Sequence, residues 1–158
     1  MCLTISIQAD ASERDDLSTA AHVASRFGLR VDVEHPSRWS WAESKPAQVF
    51  ITEDGGCACS MLADDADWSS ETWAMRPEVV EPLARTLEAL VQHGPRPLVL
   101  EALWAGDSPH TEVSLEAGEI GSLVRGEGFG TKVRYVIKRR DNDGVQADVG
   151  KLRRRRRR

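Results

Sequence analysis

The sequence predicts an α+β fold: a single-domain, two-layer sandwich in which helices cover one face of a mostly antiparallel sheet. Three observations carry this. Several short segments alternate apolar and polar residues at period two, two others repeat apolar residues at helical spacing, and their order along the chain is β-α-β-β-α-β-(α)-β. The first six elements match the ferredoxin-like split βαβ arrangement, βαββαβ, followed by a C-terminal (α)β extension. A chain of 158 residues is of ordinary size for one domain with its own core.

The strands come first. Leu3-Ile5-Ile7, Leu29-Val31-Val33 and Val133-Tyr135-Ile137 alternate with polar residues, as strands with one face on a core do. Val49-Phe50-Ile51 and Leu98-Val99-Leu100 are continuous apolar runs and predict more deeply buried strands. Between the first two strands, Leu17, Ala20, Ala21, Ala24 and Phe27 share one helical face, with Ser12 as a cap, Asp15 three residues on, and Gly28 as a stop. A second helix carries Leu83, Leu87, Leu90 and Val91 on one stripe, ends at Gly94-Pro95, and is expected to begin near Pro82. A weaker third helix is expected from Leu115 to Val124, where Gly118 and Gly121 oppose it.

Two connections are long for a compact domain, and long connections hold hidden structure or a function. One runs from Pro36 to Lys45 with Trp39 and Trp41. The other runs from Glu53 to Arg76 and holds six acids, two cysteines, Trp68 and Trp73. Half of the second is expected to be a hairpin, with Val49–Thr52 entering a turn at Asp54-Gly55-Gly56 and Cys57–Leu62 returning as a strand. Residues 1–140 form the domain in this reading and 141–150 a C-terminal turn and tail. Residues 151–158, ending in Arg153 through Arg158, read as an appended poly-Arg purification tag.

Charge and composition exclude partner classes. The formal net charge is −4, but setting aside Lys151 and the six terminal arginines leaves 14 of the 21 cations against 25 acids, about −11 over residues 1–150. Such a field repels phosphate backbones and anionic lipid, so neither nucleic acid nor membrane is an expected partner. No apolar run approaches the roughly 18 residues of a membrane span, and the N-terminus lacks the pattern of a secretory signal. Three cysteines are too few for a disulfide framework, and reduced thiols in a cytoplasmic protein are expected.

Cys57-Ala58-Cys59 is the most distinctive local feature. On a strand both thiols and the Met61 thioether would share one face, a soft donor set suited to Zn or Cu(I) or to redox chemistry, with Cys2 as a third thiolate. Strand geometry sets residues two apart near the roughly 7 Å limit for bridging, which argues against a Cys57–Cys59 disulfide. The alternative is packing, because free cysteine and methionine fill cores well. Cys2 could also become an N-terminal nucleophile, though no acid-base partner can be named for it. Gly126-Glu127-Gly128-Phe129-Gly130 resembles a phosphate-covering glycine loop only in part, since its third glycine is one position early. A turn feeding the last strand, with residual capacity to hold an anion near Lys132 and Arg134, is the simpler reading. Asp141-Asn142-Asp143-Gly144 lacks the later ligands of a calcium loop. The four histidines are scattered, and no catalytic residue is assigned.

Four of the five tryptophans, Trp39, Trp41, Trp68 and Trp73, lie in or near the two long connections, while Trp104 ends a core strand. Tryptophan suits both binding surfaces and the pinning of loops. The sequence thus favours a non-enzymatic module that binds a protein or small ligand through acidic, Trp-bearing loops, with self-association as a homodimer open to it and no cofactor expected. A thiolate site at Cys57 and Cys59, with Cys2, that binds Zn or Cu(I) or responds to redox state is the alternative.

Overall fold

A computed structural model describes residues 3–34, 46–54, 57–63, 72–104, 107–126, 128–130 and 132–138. It is an α+β structure with three α-helices and a mostly antiparallel sheet. The strands are β1 (Leu3–Ala9), β2 (Arg30–Val33), β3 (Ala47–Thr52), β4 (Thr72–Trp73), β5 (Leu98–Trp104), β6 (Thr111–Leu115), β7 (Phe129–Gly130) and β8 (Val133–Ile137). The helices are α1 (Arg14–Ala24), α2 (Pro77–His93) and α3 (Ile120–Arg125). Six strands form one sheet in the order β2-β3-β1-β5-β8-β6, and β4 and β7 form a separate antiparallel pair. Every neighbouring pair in the large sheet is antiparallel except β6 and β8.

Alternation decides which strand face is covered. Leu3, Ile5 and Ile7 of β1, Val49 and Ile51 of β3, Leu98, Leu100 and Ala102 of β5, and Tyr135 and Ile137 of β8 are buried in one cluster with the apolar stripes of the helices. Leu17, Ala20, Ala21 and Ala24 supply the α1 stripe, and Val79, Leu83, Leu87, Leu90 and Val91 that of α2. The three- and four-residue spacing keeps each stripe on one helical face, and each large aliphatic side chain so buried contributes about 1.5–3 kcal/mol.

Helix boundaries follow local chemistry. Asp10 accepts from the Ser12 backbone N–H at 2.9 Å and from its hydroxyl at 2.7 Å, which starts a short 3₁₀ turn, Ala11–Glu13, ahead of α1. The cap is therefore Asp10 rather than Ser12. After α1 a second 3₁₀ turn, Ser25–Phe27, ends at Gly28, whose φ of +95° is the left-handed conformation that glycine adopts freely. This turn carries Phe27 out of the α1 stripe, so it is 36% exposed rather than core.

Three further expectations are corrected, and one strand is added. α2 begins at Pro77, a helix-compatible first position, and contains Pro82, whose carbonyl accepts the Thr86 hydroxyl at 2.8 Å. α3 is limited to Ile120–Arg125, because Leu115 ends β6. β6 itself has no counterpart in the sequence reading: it is an edge strand with four of five residues exposed, and its alternation is confined to Val113 and Leu115. Finally, Cys57–Leu62 does not return as a strand beside β3. Both flanks of β3 are occupied, by β1 and β2, and Ala58–Met61 is a 3₁₀ turn.

Candidate functional site

The turn at Ala58–Met61 sits where β1 begins. β1 pairs with β5 from Leu3 onward, but its pairing with β3 starts only at Ile5, opposite Ile51. Leu3 therefore extends past the last β3 partner, and the two cysteines meet its main chain there. The Leu3 N–H donates to Cys59 Sγ at 3.1 Å, and Cys57 Sγ lies 3.4 Å from the Leu3 carbonyl oxygen, to which a thiol donates.

Within the turn, Cys57 is extended and acts as its cap, its sulfur accepting from the Cys59 N–H at 3.3 Å. The Ser60 hydroxyl donates to the Cys57 carbonyl at 3.3 Å. Ala58 and Met61 point inward and are fully buried, whereas Cys57 and Cys59 are half-buried. Cys57, Cys59 and Met61 thus do not form a stripe on one strand face. The two sulfurs are in bonding contact as a disulfide, with Cα atoms 5.2 Å apart. This corrects the expectation against a bridge: a 3₁₀ turn shortens the span that a strand would have held near 7 Å, into the usual range for cystine.

The segment after the turn is stitched to the chain leading into α2. The Ala63 N–H donates to the Ala74 carbonyl and the Arg76 N–H to the Met61 carbonyl, each at 2.9 Å, around a Leu62–Met75 bridge. Arg76 then pairs with Glu53 at 2.6 Å and with Glu78 at 3.1 Å, which ties the end of β3 to the start of α2. Trp73 and Trp104 meet edge to face, with centroids 5.4 Å apart. Trp73 is 3% exposed and belongs to the core rather than to a surface, and Trp104, opposite Leu3 in the sheet, is half-buried. Beside Trp73 in the β4–β7 pair, Phe129 is fully buried and packs toward Tyr135 at 6.3 Å.

The glycine-rich run is thereby absorbed into structure. Gly128, at φ +81°, passes so close to the Trp73 carbonyl that any Cβ there would collide with it. The Gly128 N–H donates to the Leu123 carbonyl at 3.1 Å and the Gly130 N–H to the Tyr135 hydroxyl at 2.7 Å, so neither amide is left to hold an anion. Burial pushes the Tyr135 hydroxyl up from its ordinary value, partly offset by the Gly130 N–H.

Trp39, Trp41, Trp68 and Cys2 lie outside the described residues, as does the Asp141–Gly144 run. Among the described residues no three histidine, cysteine or acidic side chains converge as metal ligands, and Cys57 and Cys59 alone supply half of a tetrahedral set. Also among these residues, no helix is long and apolar enough to cross a membrane. The sequence offered no signal that the cysteines would clasp the first residue of β1, because that contact spans more than fifty residues of chain. The chain matches no family model, curated protein or solved structure.

Proposed function

We propose that Cys57 and Cys59 are a redox-active dithiol/disulfide pair, and that the protein is a redox-responsive module rather than an enzyme with a carbon- or phosphorus-centred chemistry. The observation that carries this is the 5.2 Å Cα separation of two half-buried cysteines on a tight turn. A pair so placed bridges without backbone movement, and its partial exposure lets a second molecule reach it. The step is thiol–disulfide exchange. One thiol loses its proton and attacks a disulfide of the oxidant, releasing one thiolate and forming a mixed disulfide. The second thiolate then attacks the protein sulfur of that bond and releases the other thiolate. The protein loses two electrons and two protons, and the oxidant is reduced to two thiols.

This reading is preferred to ligand capture by acidic tryptophan loops because Trp73, the described member of that group, is buried. We also read β1-α1-β2-β3-α2-β5 as a ferredoxin-like unit extended by β6-α3-β8. In support, β1 lies between β3 and β5, β2 lies outside β3, and all three pairings are antiparallel.

Reduced protein equilibrated with glutathione buffers of rising oxidised fraction, then acid-quenched and weighed intact, tests the redox role. The expected result is cooperative loss of about 2 Da, the two thiol hydrogens, mapped to the Cys57–Cys59 peptide and absent in Cys57→Ser and Cys59→Ser. A dithiol that persists through the whole range overturns it. Stoichiometric zinc or copper that is lost in both variants would replace it with a metal-binding role.

A further inference from the structure

We infer that the oxidation state of Cys57 and Cys59 latches and unlatches the first residue of β1, so that the pair signals through the N-terminal end of this interior strand. This rests on the redox role proposed above and names what that role controls.

Leu3 sends both main-chain groups to the cysteines, its N–H to Cys59 Sγ at 3.1 Å and its carbonyl toward Cys57 Sγ at 3.4 Å. Beyond Ile5, where β3 no longer pairs with β1, the two sulfurs stand where a neighbouring strand would be, and in the dithiol one accepts and the other donates. The two roles differ in their dependence on redox state. A sulfur accepts a hydrogen bond as a thiol or in a disulfide, so the Cys59 contact survives oxidation. Only a thiol carries a proton, so the Cys57 contact to the Leu3 carbonyl exists in the dithiol and vanishes in the disulfide. A part-buried carbonyl that loses its donor must recruit water or move, and either loosens the strand end. The effect has a route inward. Leu3 is itself fully buried and lies opposite Trp104, which packs edge-on against Trp73. Oxidation thus weakens the end of β1 by one specific bond while leaving the β1–β5 ladder intact.

Amide hydrogen exchange at Leu3, read by NMR on the full chain, tests the latch, with intact mass recording the bridge in the same samples. Exchange at Leu3 is expected to be roughly three- to ten-fold faster in the disulfide than in the dithiol, with Ile7 unchanged. Cys57→Ser, whose hydroxyl keeps a donor, should hold Leu3 at the slow rate with or without oxidant, and Cys57→Ala should exchange at the fast rate in both. Equal Leu3 rates in reduced and bridged protein, or in Cys57→Ser and Cys57→Ala, overturn the latch. If the mass shows that no bridge forms, the redox role fails instead, and the serine–alanine comparison still decides whether Cys57 holds Leu3.

Discussion

The two flanks of β1 are held by different chemistry. Toward β5 its neighbour is another main chain, in continuous antiparallel register from Leu3↔Trp104 to Gln8↔Val99. Toward β3 the ladder stops at Ile5, and two sulfurs take over at Leu3. Backbone amides and carbonyls keep their hydrogen-bonding roles under any cellular condition, whereas a thiol loses its donor on oxidation. In the proposed latch the β5 flank is a fixed structural seam and the β3 flank a seam whose last bond depends on redox state. A latch of this kind places a chemically responsive contact at a strand end while Leu3 stays buried.

That contrast holds only if the corner beside the cysteines is as firmly built as the sandwich. Phe129→Ala removes a fully buried ring from the corner and should cost about 3–5 kcal/mol, against about 2–5 kcal/mol for Leu87→Ala in the helix layer. Both are read from urea unfolding. A Phe129→Ala cost below about 1 kcal/mol would mean that the corner is an appendage and the comparison fails. Gly128→Ala should cost more than about 1 kcal/mol, because it combines a positive φ with a collision against the Trp73 carbonyl. A neutral result would show that β4 and β7 shift apart freely.

A smaller test concerns the helix layer, where Arg125 bonds Glu81 at 2.8 Å and Glu88 at 2.6 Å and so ties α3 to α2. Hydrogen bonds from Arg125 and Arg85 hold the Glu81 carboxyl at about 2, below its ordinary 4.5. A carboxylate with a depressed folded-state value stabilises above its unfolded value and loses that contribution as pH falls from about 4.5 toward about 2. Glu81→Gln should flatten this part of the acid limb in pH-dependent unfolding, and only slightly, since the pair is exposed. An unchanged limb would show that the helix clamp contributes nothing to acid stability.

Much of the fold was legible because burial and periodicity agree. Leu3-Ile5-Ile7 and Val133-Tyr135-Ile137 each have one covered face, and the α1 and α2 stripes repeat at helical spacing. The edge strand β6 was not legible, since Thr111–Leu115 is mostly exposed and offers only Val113 and Leu115 as an alternating pair. The sulfur corner was half legible. Cys57 and Cys59 stood out as residue types, but their geometry depends on a 3₁₀ turn that the neighbouring Asp-Gly-Gly disguised as a hairpin. Their partner is a backbone group, which leaves no mark in a sequence. Trp73 drew notice as a loop residue for a related reason, because β4 is two residues long and gains its burial from Phe129 far along the chain.

Tyr135 is the chain's single tyrosine, and its hydroxyl accepts the Gly130 N–H inside the aromatic corner. Phenolate absorbance in alkali therefore comes from one known place and gives the protein an internal optical gauge. Because burial raises its value above the ordinary 10.0, the neutral phenol supports folding up to about that pH, and the support drains away as pH climbs through the folded value. A spectrophotometric titration should show one late-rising phenolate band in the folded protein that moves to the ordinary position in denaturant. The same band, followed in Phe129→Ala, would report the wetting of the corner without any added label.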